Sequence, residues 1–476
     1  MTDINRRHFL MSSMALPVAL KASTQSSPND TVRVAVVGFN GRGRAHISAY
    51  LKIPNVEIAA LCDVDQSVVE KGCKMVEGAG RKRPATFTDF RKLLDDQSID
   101  AVSLATPNFH HTLQTIWAVQ AGKDVLVEKP CSYNMFEAQQ IIAASRKYNR
   151  IVQDGTGAGA QLHEARRRLQ EGIIGEVYMA RGLCFKWRDT IGRAKEEPVP
   201  AGVAYDLWTG PAPARPFTRN RFHYNWHWQW DYGNGDLGNQ GAHQLHAARM
   251  AFGVKYPTRI SAMGGKYMFD DDQETPNTLV ATFEFEAPAA RARRGVAERE
   301  RAGVGPREQE EKDGKQGGRK KLLVFEVRHW ISNNEAGIGE RADPGVPVEQ
   351  PQTVGNIWYG SKGYMATGRG GWRTFMGKEQ APGPKSEAGA GVGGFVNFID
   401  VVRSRRREDQ LAEIEEGAIS TMLIHLANIS YRTGRTLYFD PVTYSCKGDA
   451  EATAMFTRAR YRSPFVLPNI AGTRTD

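Results

Sequence analysis

The stretch Thr31–Gly43, TVRVAVVGFNGRG, limits what this chain can fold into more than any other. Val32, Val34, Val36 and Val37 read as a buried strand, and Arg44–Leu51 reads as a helix. Gly38, Gly41 and Gly43 punctuate the turn between them. A strand, a glycine turn and a helix in that order form the setting of a dinucleotide fingerprint. The spacing is G-x-N-G-x-G, with Asn40 where a glycine is usual. Asparagine tolerates positive φ better than most residues, so the motif survives the exchange. A second apolar run, Val56–Leu61, is followed by Asp63. An acid there can hold a ribose 2′-hydroxyl and favours NAD, while Arg42 and Arg44 leave NADP open.

The chain has 476 residues, enough for two domains. Hydrophobic residues make up 41% and charged residues 24%, as in ordinary globular chains. Cys62, Cys73, Cys131, Cys184 and Cys446 show no pairing rhythm, so neither a disulfide scaffold nor a zinc cluster is indicated. The net charge is +10, yet no nucleic-acid recognition motif accompanies it. Part of the basic excess falls in Ala289–Lys320, a polar segment rich in Arg, Glu, Gly and Lys. That segment reads as a disordered or solvated insertion between two strands.

The N-terminus reads as an address. Arg6 and Arg7 precede an apolar run that ends at Leu20, too short to span a membrane comfortably. This is the pattern of a twin-arginine export signal, with cleavage near Ala22 or retention as a tether. Ser23–Asp30 is a polar linker. The expected location is the periplasm or cell envelope. That route carries folded proteins, so a dinucleotide loaded before export has to be held tightly.

The strand and helix rhythm continues. Helices are expected at Asp65–Glu77, Phe87–Leu94, Phe109–Ala121 and Asn134–Tyr148. Strands are expected at Ile99–Ala105, Val125–Val127 and Ile151–Gln153. Residues 31–155 therefore form a parallel, doubly wound α/β sheet of the Rossmann kind, with ligands beyond the carboxyl ends of its strands. Residues 156–440 read as an α+β domain on a large, mostly antiparallel open sheet. Its strands are expected at Glu176–Phe185, Arg259–Gly264, Leu279–Phe285, Leu322–His329, Asn356–Tyr359 and Gly363–Thr367. Asp206–Pro211 reads as a loop, and 334–352 and 374–394 also read as loops. Helices are expected at His163–Glu171, Ala242–Phe252, Val396–Arg403 and Glu413–Thr433, and 441–476 as a tail that packs back on the body.

Chemistry concentrates in a few places. Lys129, at the end of a sheet strand and before Pro130, can hydrogen-bond a substrate hydroxyl and steady its developing charge. Glu128 can pair with it or contact the cofactor. His243 follows a glycine-rich loop at a helix start, and imidazole suits proton transfer near neutral pH. Asp231, Tyr232, Asp236 and His227 are further candidates for acid–base work or for holding sugar hydroxyls. Phe217, Phe222, His223, Tyr224, Trp226, His227, Trp228, Trp230 and Tyr232 crowd one stretch, either as packed core or as a wall for sugar rings. His243 and His246 lack a convincing third ligand nearby, so no metal is expected.

Together, GFNGRGR, ATPNFHH, VEKPCS, DLWTGPAP, WHWQWDYGNGDLGNQGAHQ and EIEEGAISTMLIHLANISYRTGR resemble the glucose–fructose oxidoreductase/inositol dehydrogenase/MocA (Gfo/Idh/MocA) family, and its exported twin-arginine branch. The resemblance runs from Arg6 to about Pro468, apart from the insertion. It implies an NAD(P)-dependent oxidoreductase acting on a sugar hydroxyl, and an open sheet that makes homo-oligomer contacts, in a dimer or tetramer. It implies that Gly38, Asn40, Gly41, Arg42 and Gly43 line the pyrophosphate and Asp63 the ribose. Thr106, Pro107, Asn108 and His111 flank the cofactor, and Glu128, Lys129 and Trp208 approach the nicotinamide. The mechanism it implies takes hydride from a sugar carbinol, with His243 accepting the proton. The family's two aspartates around that histidine are Asn239 and His246 here, and the glutamine usual at the domain crossing is Gly157. A redox-neutral variant, in which transient oxidation acidifies a neighbouring C–H and a glycosidic oxygen leaves, is the alternative outcome.

Overall fold

The computed structural model describes residues 31–156, 160–286, 320–330, 332–338, 352–368, 371–386 and 393–472. The expected export signal, Gly157 and all of the expected insertion Ala289–Lys320 except Lys320, which begins a strand, lie outside them.

The first sheet takes β1 (Val32–Val37), β2 (Val56–Cys62), β3 (Ala85–Phe87), β4 (Ala101–Leu104), β5 (Asp124–Val127) and β6 (Val152–Asp154). All pair in parallel, in the order β3-β2-β1-β4-β5-β6. β4 and β5 are buried at every residue, as strands covered by helices on both faces must be. The order reverses between β1 and β4, and a crevice opens beyond their carboxyl ends. The flanking helices start on side-chain caps: Asp65 accepts from the Ser67 N–H, and Asn134 from the Glu137 N–H.

The second sheet has ten strands: β7 (Val177–Lys186), β8 (Arg259–Gly265), β9 (Thr278–Glu286), β10 (Lys320–Arg328), β11 (Gln352–Gly360), β12 (Gly363–Gly368), β13 (Gly371–Met376), β14 (Ala381–Lys385), β15 (Leu437–Asp440) and β16 (Ser445–Cys446). Their order is β14-β13-β12-β11-β7-β10-β9-β8-β15-β16, and β7 with β10 is the parallel pair. Leu279, Ala281, Phe283 and Phe285 on β9 point inward, while alternate residues face out. That alternation belongs to a sheet with one covered face. Helices 241–252 and 414–433 pack on this face, and the second of them also meets helix 135–147 of the first half.

Three expectations need correction. Residues 374–394 are not all loop, since β13 and β14 form a hairpin there with Phe375 opposite Pro382. β14 reads APGPK, and prolines are tolerated because it is an edge strand. Asp206–Pro211 holds a short helix, Tyr205–Thr209. The halves are also less separate than a cut at 156–440 implies. Helix 394–404 buries Phe398, Ile399, Val401 and Val402 in the same cluster as Val34 and Ile58. The following Arg405 forks onto Asp124 at 2.5 and 3.1 Å. Among the described residues, no helix is long and apolar enough to cross a membrane.

Candidate active site

A cavity of about 610 Å³ opens at the switch point of the first sheet and runs to the face of the second domain. One end is made of backbone. Gly38 has φ +74°, and a Cβ there would stand 2.8 Å from the Thr106 side chain. A Cβ on Gly43 would meet the Gly38 carbonyl oxygen at 2.2 Å. These two glycines are therefore required by conformation and close approach. A Cβ on Gly41 would meet nothing within 4 Å, which leaves open room at the start of helix Gly43–Tyr50. Free space before a helix N-terminus fits a pyrophosphate. Positive φ falls on Gly38 and not on Asn40, so the asparagine needs no conformational excuse.

Asp63, at the end of β2, is buried and lines the same cavity. Its carboxylate accepts the Phe39 N–H at 2.9 Å and the Asp65 N–H at 3.1 Å. Burial pushes its pKa up to about 6, against those two donors. The glycine loop and Asp63 are thus physically joined, and together they fit the phosphate and ribose of a dinucleotide.

A wall at this end comes from the far end of the chain. Phe465 lines the cavity with Phe90, Trp117 and Leu207. It is held by Arg462, which donates to the Gly210 carbonyl at 2.9 Å and to Asp206 at 2.5 Å. Nothing in the sequence around Phe465 signals this role.

The other end is made of side chains. Glu128 accepts from Arg42 Nε at 2.7 Å and pairs with His46 Nε2 at 3.0 Å. Burial opposes its charge, but His46, Arg42 and Lys129 overcome burial and hold the carboxyl well below the usual range. Lys129 follows, and its Nζ donates to the Asn239 carbonyl. Burial draws its pKa below the usual lysine value, helped by Lys186 and Arg42 against the pull of Glu128. Thr106 donates to Gln114 at 2.7 Å. His111 sets one ring nitrogen against the Thr106 carbonyl and the other against the Pro130 carbonyl, each at 2.8 Å, so it ties the two turns together. Pro107 lines the cavity, whereas Asn108 is buried and donates to Asn234 across the domain boundary.

The aromatic stretch divides. Phe217, Phe222, Trp226 and Tyr232 pack with Phe109 and Trp208 as a buried cluster. The Tyr232 hydroxyl donates to the Pro213 carbonyl at 2.9 Å. Trp208 also lines the cavity, fixed by His110, whose Nε2–H donates to its carbonyl at 2.6 Å. His223, Tyr224, Trp226 and His227 line the cavity from the second domain. His227 uses Nδ1 on the Tyr224 carbonyl at 2.6 Å and stacks on Trp226. Burial first, then Lys129 and Arg188, push its pKa down to about 3, so the ring is neutral near pH 7. Asp231 faces away, paired with Arg215.

Asp236 is placed differently from a catalytic acid. It is buried, and its two oxygens are taken by Arg188 at 2.9 and 3.2 Å, His329 at 2.5 Å and Asn239 at 2.9 Å. Burial opposes the charge, but Arg188 and His329 hold the carboxyl well below the usual range. The geometry makes it an anchor for these groups. Tyr232, equally, is a packing residue here. The helix before His243 breaks at Gln240, so Asn239 ends one short helix and His243 sits in the first turn of the next, which starts at Gly241. Asn239 lines the cavity, and His243 does not. His243 is half-buried, with its pKa pushed down to about 3 by burial and by the Lys129 charge. His246 is buried against Ser420 at 3.0 Å. Among the described residues no three His, Cys, Asp or Glu side chains converge as a metal site.

Sequence reasoning missed Lys186, Arg188, His329 and Phe465. Lys186 ends β7, Arg188 and His329 follow the carboxyl ends of β7 and β10, and their charges were the available signal.

Comparison with known proteins agrees with this layout. Residues 32–156 match the NAD-binding Rossmann domain of the Gfo/Idh/MocA oxidoreductase family, and residues 159–262 match that family's C-terminal alpha/beta domain. A glycosyl hydrolase family 109 protein of Saccharopolyspora erythraea is 31% identical over 160 residues, 32% of this chain and 35% of that protein. An alpha-N-acetylgalactosaminidase of Shewanella oneidensis is 28% identical over 206 residues, 37% of this chain and 45% of that one. The chain therefore spans less than half the length of these curated relatives in the matched region. Among solved structures, the WlbA dehydrogenase of Bordetella pertussis, in complex with NADH and UDP-GlcNAcA, shares the fold at TM-score 0.57 and 17% identity, covering 86% of this chain and 99% of that one. An aldose-aldose oxidoreductase of Caulobacter crescentus does so at TM-score 0.57 and 17% identity, covering 86% and 100%. With both of that family's domains in tandem on one chain, around one cavity, the protein belongs to the Gfo/Idh/MocA oxidoreductase family.

Proposed function

We propose that the protein is an NAD(H)-dependent oxidoreductase acting on a hydroxyl of a sugar or sugar derivative, with a tightly held cofactor. One observation carries this reading: the glycine cradle, Asp63 and the Lys129 ammonium line a single cavity. Gly38, Gly41 and Asp63 would hold a dinucleotide, and a bound nicotinamide would supply the electron acceptor. Lys129 steadies the substrate oxygen as its negative charge grows. His227 is the better placed proton acceptor: it lines the cavity, is neutral near pH 7, and commits one ring nitrogen to Tyr224, leaving the other for substrate. His243 is absent from the cavity lining and lies close enough to Lys129 for that charge to lower its pKa. NADP is the weaker fit, because Asp63 sits where a 2′-phosphate would bring a second negative charge.

The redox-neutral alternative is favoured by the relatives named as glycosyl hydrolase family 109 proteins and as an alpha-N-acetylgalactosaminidase. Absorbance and mass of the dinucleotide that co-purifies test the common core, since a protein that binds none refutes both readings. Reduction of that nucleotide by free sugars supports the oxidoreductase. Cleavage of aryl glycosides with no net change in nucleotide absorbance supports the alternative.

The twin arginine and the cofactor wall built by Phe465 support two linked readings. The protein is exported to the periplasm or cell envelope, and it carries its cofactor with it. Changing Arg6 and Arg7 to lysine should leave the protein in the cytoplasm with cofactor bound. The exposed side chains Tyr178, Met263, Val280 and Tyr438 on the open sheet support a homo-oligomer, which light scattering of the full chain reads directly.

A further inference from the structure

We propose that the substrate carries an anionic group, a carboxylate or a sulfate or phosphate ester, and that Lys186 holds it beside Lys129. The proposal rests on the sugar-directed reading above.

β7 delivers Lys186 by strand alternation. Gly182 packs on Gln244, the Cys184 thiol lies 3.7 Å from Asp236, and Lys186 Nζ donates to Gln240 Oε1 at 2.5 Å. Lys129 Nζ donates to the carbonyl of Asn239, the preceding residue. Two ammonium groups from different domains thus rest on neighbouring residues.

The charges around them do not balance. Arg42, Lys129, Lys186 and Arg188 contribute four cations, and Glu128 and Asp236 two anions. Glu128 is taken by Arg42 and His46, and Asp236 by Arg188 and His329. Among the described residues, neither Lys129 nor Lys186 has an ion pair with a carboxylate. Their acceptors are amide oxygens, which are dipoles and not counter-charges. The neighbouring His227 and His243 feel the same excess, since Lys129 lowers the pKa of both after burial.

A cluster with more cations than anions, two of them resting on amide oxygens alone, favours an anionic ligand. A dinucleotide does not supply the anion here. Its phosphates belong at the glycine loop, and an oxidised nicotinamide is itself cationic. The missing charge therefore arrives with the substrate. Lysine acts as a point charge, so it takes a carboxylate or an ester oxyanion alike.

The test uses the full-length protein with its nucleotide bound. Tryptophan fluorescence or calorimetry reads the binding of glucose, glucuronate, glucose 6-sulfate and glucose 6-phosphate, and of the matching galactose set. The expected result is an acidic sugar bound at least tenfold more tightly than its neutral parent, with the preference shrinking as salt rises. Lys186→Met should erase most of that preference while neutral sugars bind as before, and Lys186→Arg should retain it. The carboxylate and ester arms show which anion the site takes. Equal binding of neutral and acidic sugars overturns the proposal and leaves the sugar-directed reading standing. Binding of no sugar of either kind overturns both. Should Lys186→Met fail to fold, by melting temperature and nucleotide content, the salt dependence of the unaltered protein still decides.

Discussion

The two ends of the cavity are built by opposite means. The cofactor end is backbone: a glycine held at φ +74°, a helix start with open space before it, and one carboxylate pinned by two N–H groups. The reacting end is side chain: Lys129 just past β5, Asn239 at a helix break and His227 on an aromatic turn line it, and Lys186 at the end of β7 rests beside them on Gln240. A backbone site tolerates many substrates, because it reads the constant part of the ligand. A side-chain site from four distant segments is where a family changes what it acts on.

The largest effect expected from breaking this division is at Lys129. Lys129→Met should lower turnover by on the order of 10³-fold, the scale of losing one charge-stabilising donor. Bound nucleotide, read by absorbance, should stay near stoichiometric, because the cofactor end is untouched. Gly38→Ala should do the reverse. Its Cβ would stand 2.8 Å from Thr106, in a backbone conformation that alanine rarely adopts. Loss of bound nucleotide, by roughly a hundredfold in affinity, should come first, from about 1–3 kcal/mol of strain added to the steric clash. If Gly38→Ala keeps its nucleotide and loses turnover instead, the two ends are not separable.

The same contrast decides what could be read from sequence. The cofactor end follows local rules over a short stretch, so Gly38, Gly43 and Asp63 were legible, and so was the parallel sheet that positions them. Asn40 was over-read, because only the structure shows that positive φ stops at Gly38. Lys129 was legible from its place after a strand. The rest of the reacting end is tertiary. Asp236 reads as a free acid in sequence, but Arg188, His329 and Asn239 surround it in space. Tyr232 and its aromatic neighbours read as core or as wall, and packing with Phe109 and Trp208 made Tyr232, Phe217 and Phe222 core. Phe465 shows the limit. It lies hundreds of residues from the fingerprint, and no periodicity or motif links the two.

The two histidines sharpen the comparison within the reacting end. His227 lines the cavity and His243 does not. His227→Gln should lower turnover by about 10² to 10⁴-fold, the range for a positioned general base. His243→Gln should cost less, because that ring does not line the cavity. Both rings titrate near pH 3, far below their unfolded value of about 6.5. A depressed histidine contributes stability above about pH 6.5 and loses it as pH falls toward the folded value. Neither ring therefore accounts for a rate change between pH 6 and 8, and a limb there that vanishes in His227→Gln would refute the lowered pKa while keeping His227 as the base.

Phe465 extends the cofactor end beyond backbone, and its removal should have a moderate effect. Phe465→Ala takes away one aromatic wall, worth about 1–3 kcal/mol where rings stack on a base. Release of bound nucleotide, followed by its fluorescence during dialysis against excess enzyme that consumes it, should speed up by about tenfold. Arg462→Ala should act in the same direction, because it frees the segment from Asp206 and Gly210. Unchanged release in both variants would return the tail to a purely structural role.

The smallest effect is a pH dependence at Asp63. Its carboxyl ionises near pH 6 in the protein without nucleotide, because burial outweighs the donors from Phe39 and Asp65. A ribose hydroxyl donates best to the ionised form, so affinity should be flat above about pH 7. It should then fall by up to tenfold per unit below pH 6, as protons compete for the carboxylate. The sign is fixed by the raised value: the competent charge is gained as pH rises. Asp63→Asn should bind more weakly at pH 8 and lose this slope. An unaltered slope in Asp63→Asn would move the pH dependence away from the cofactor end, to the cations around Lys129.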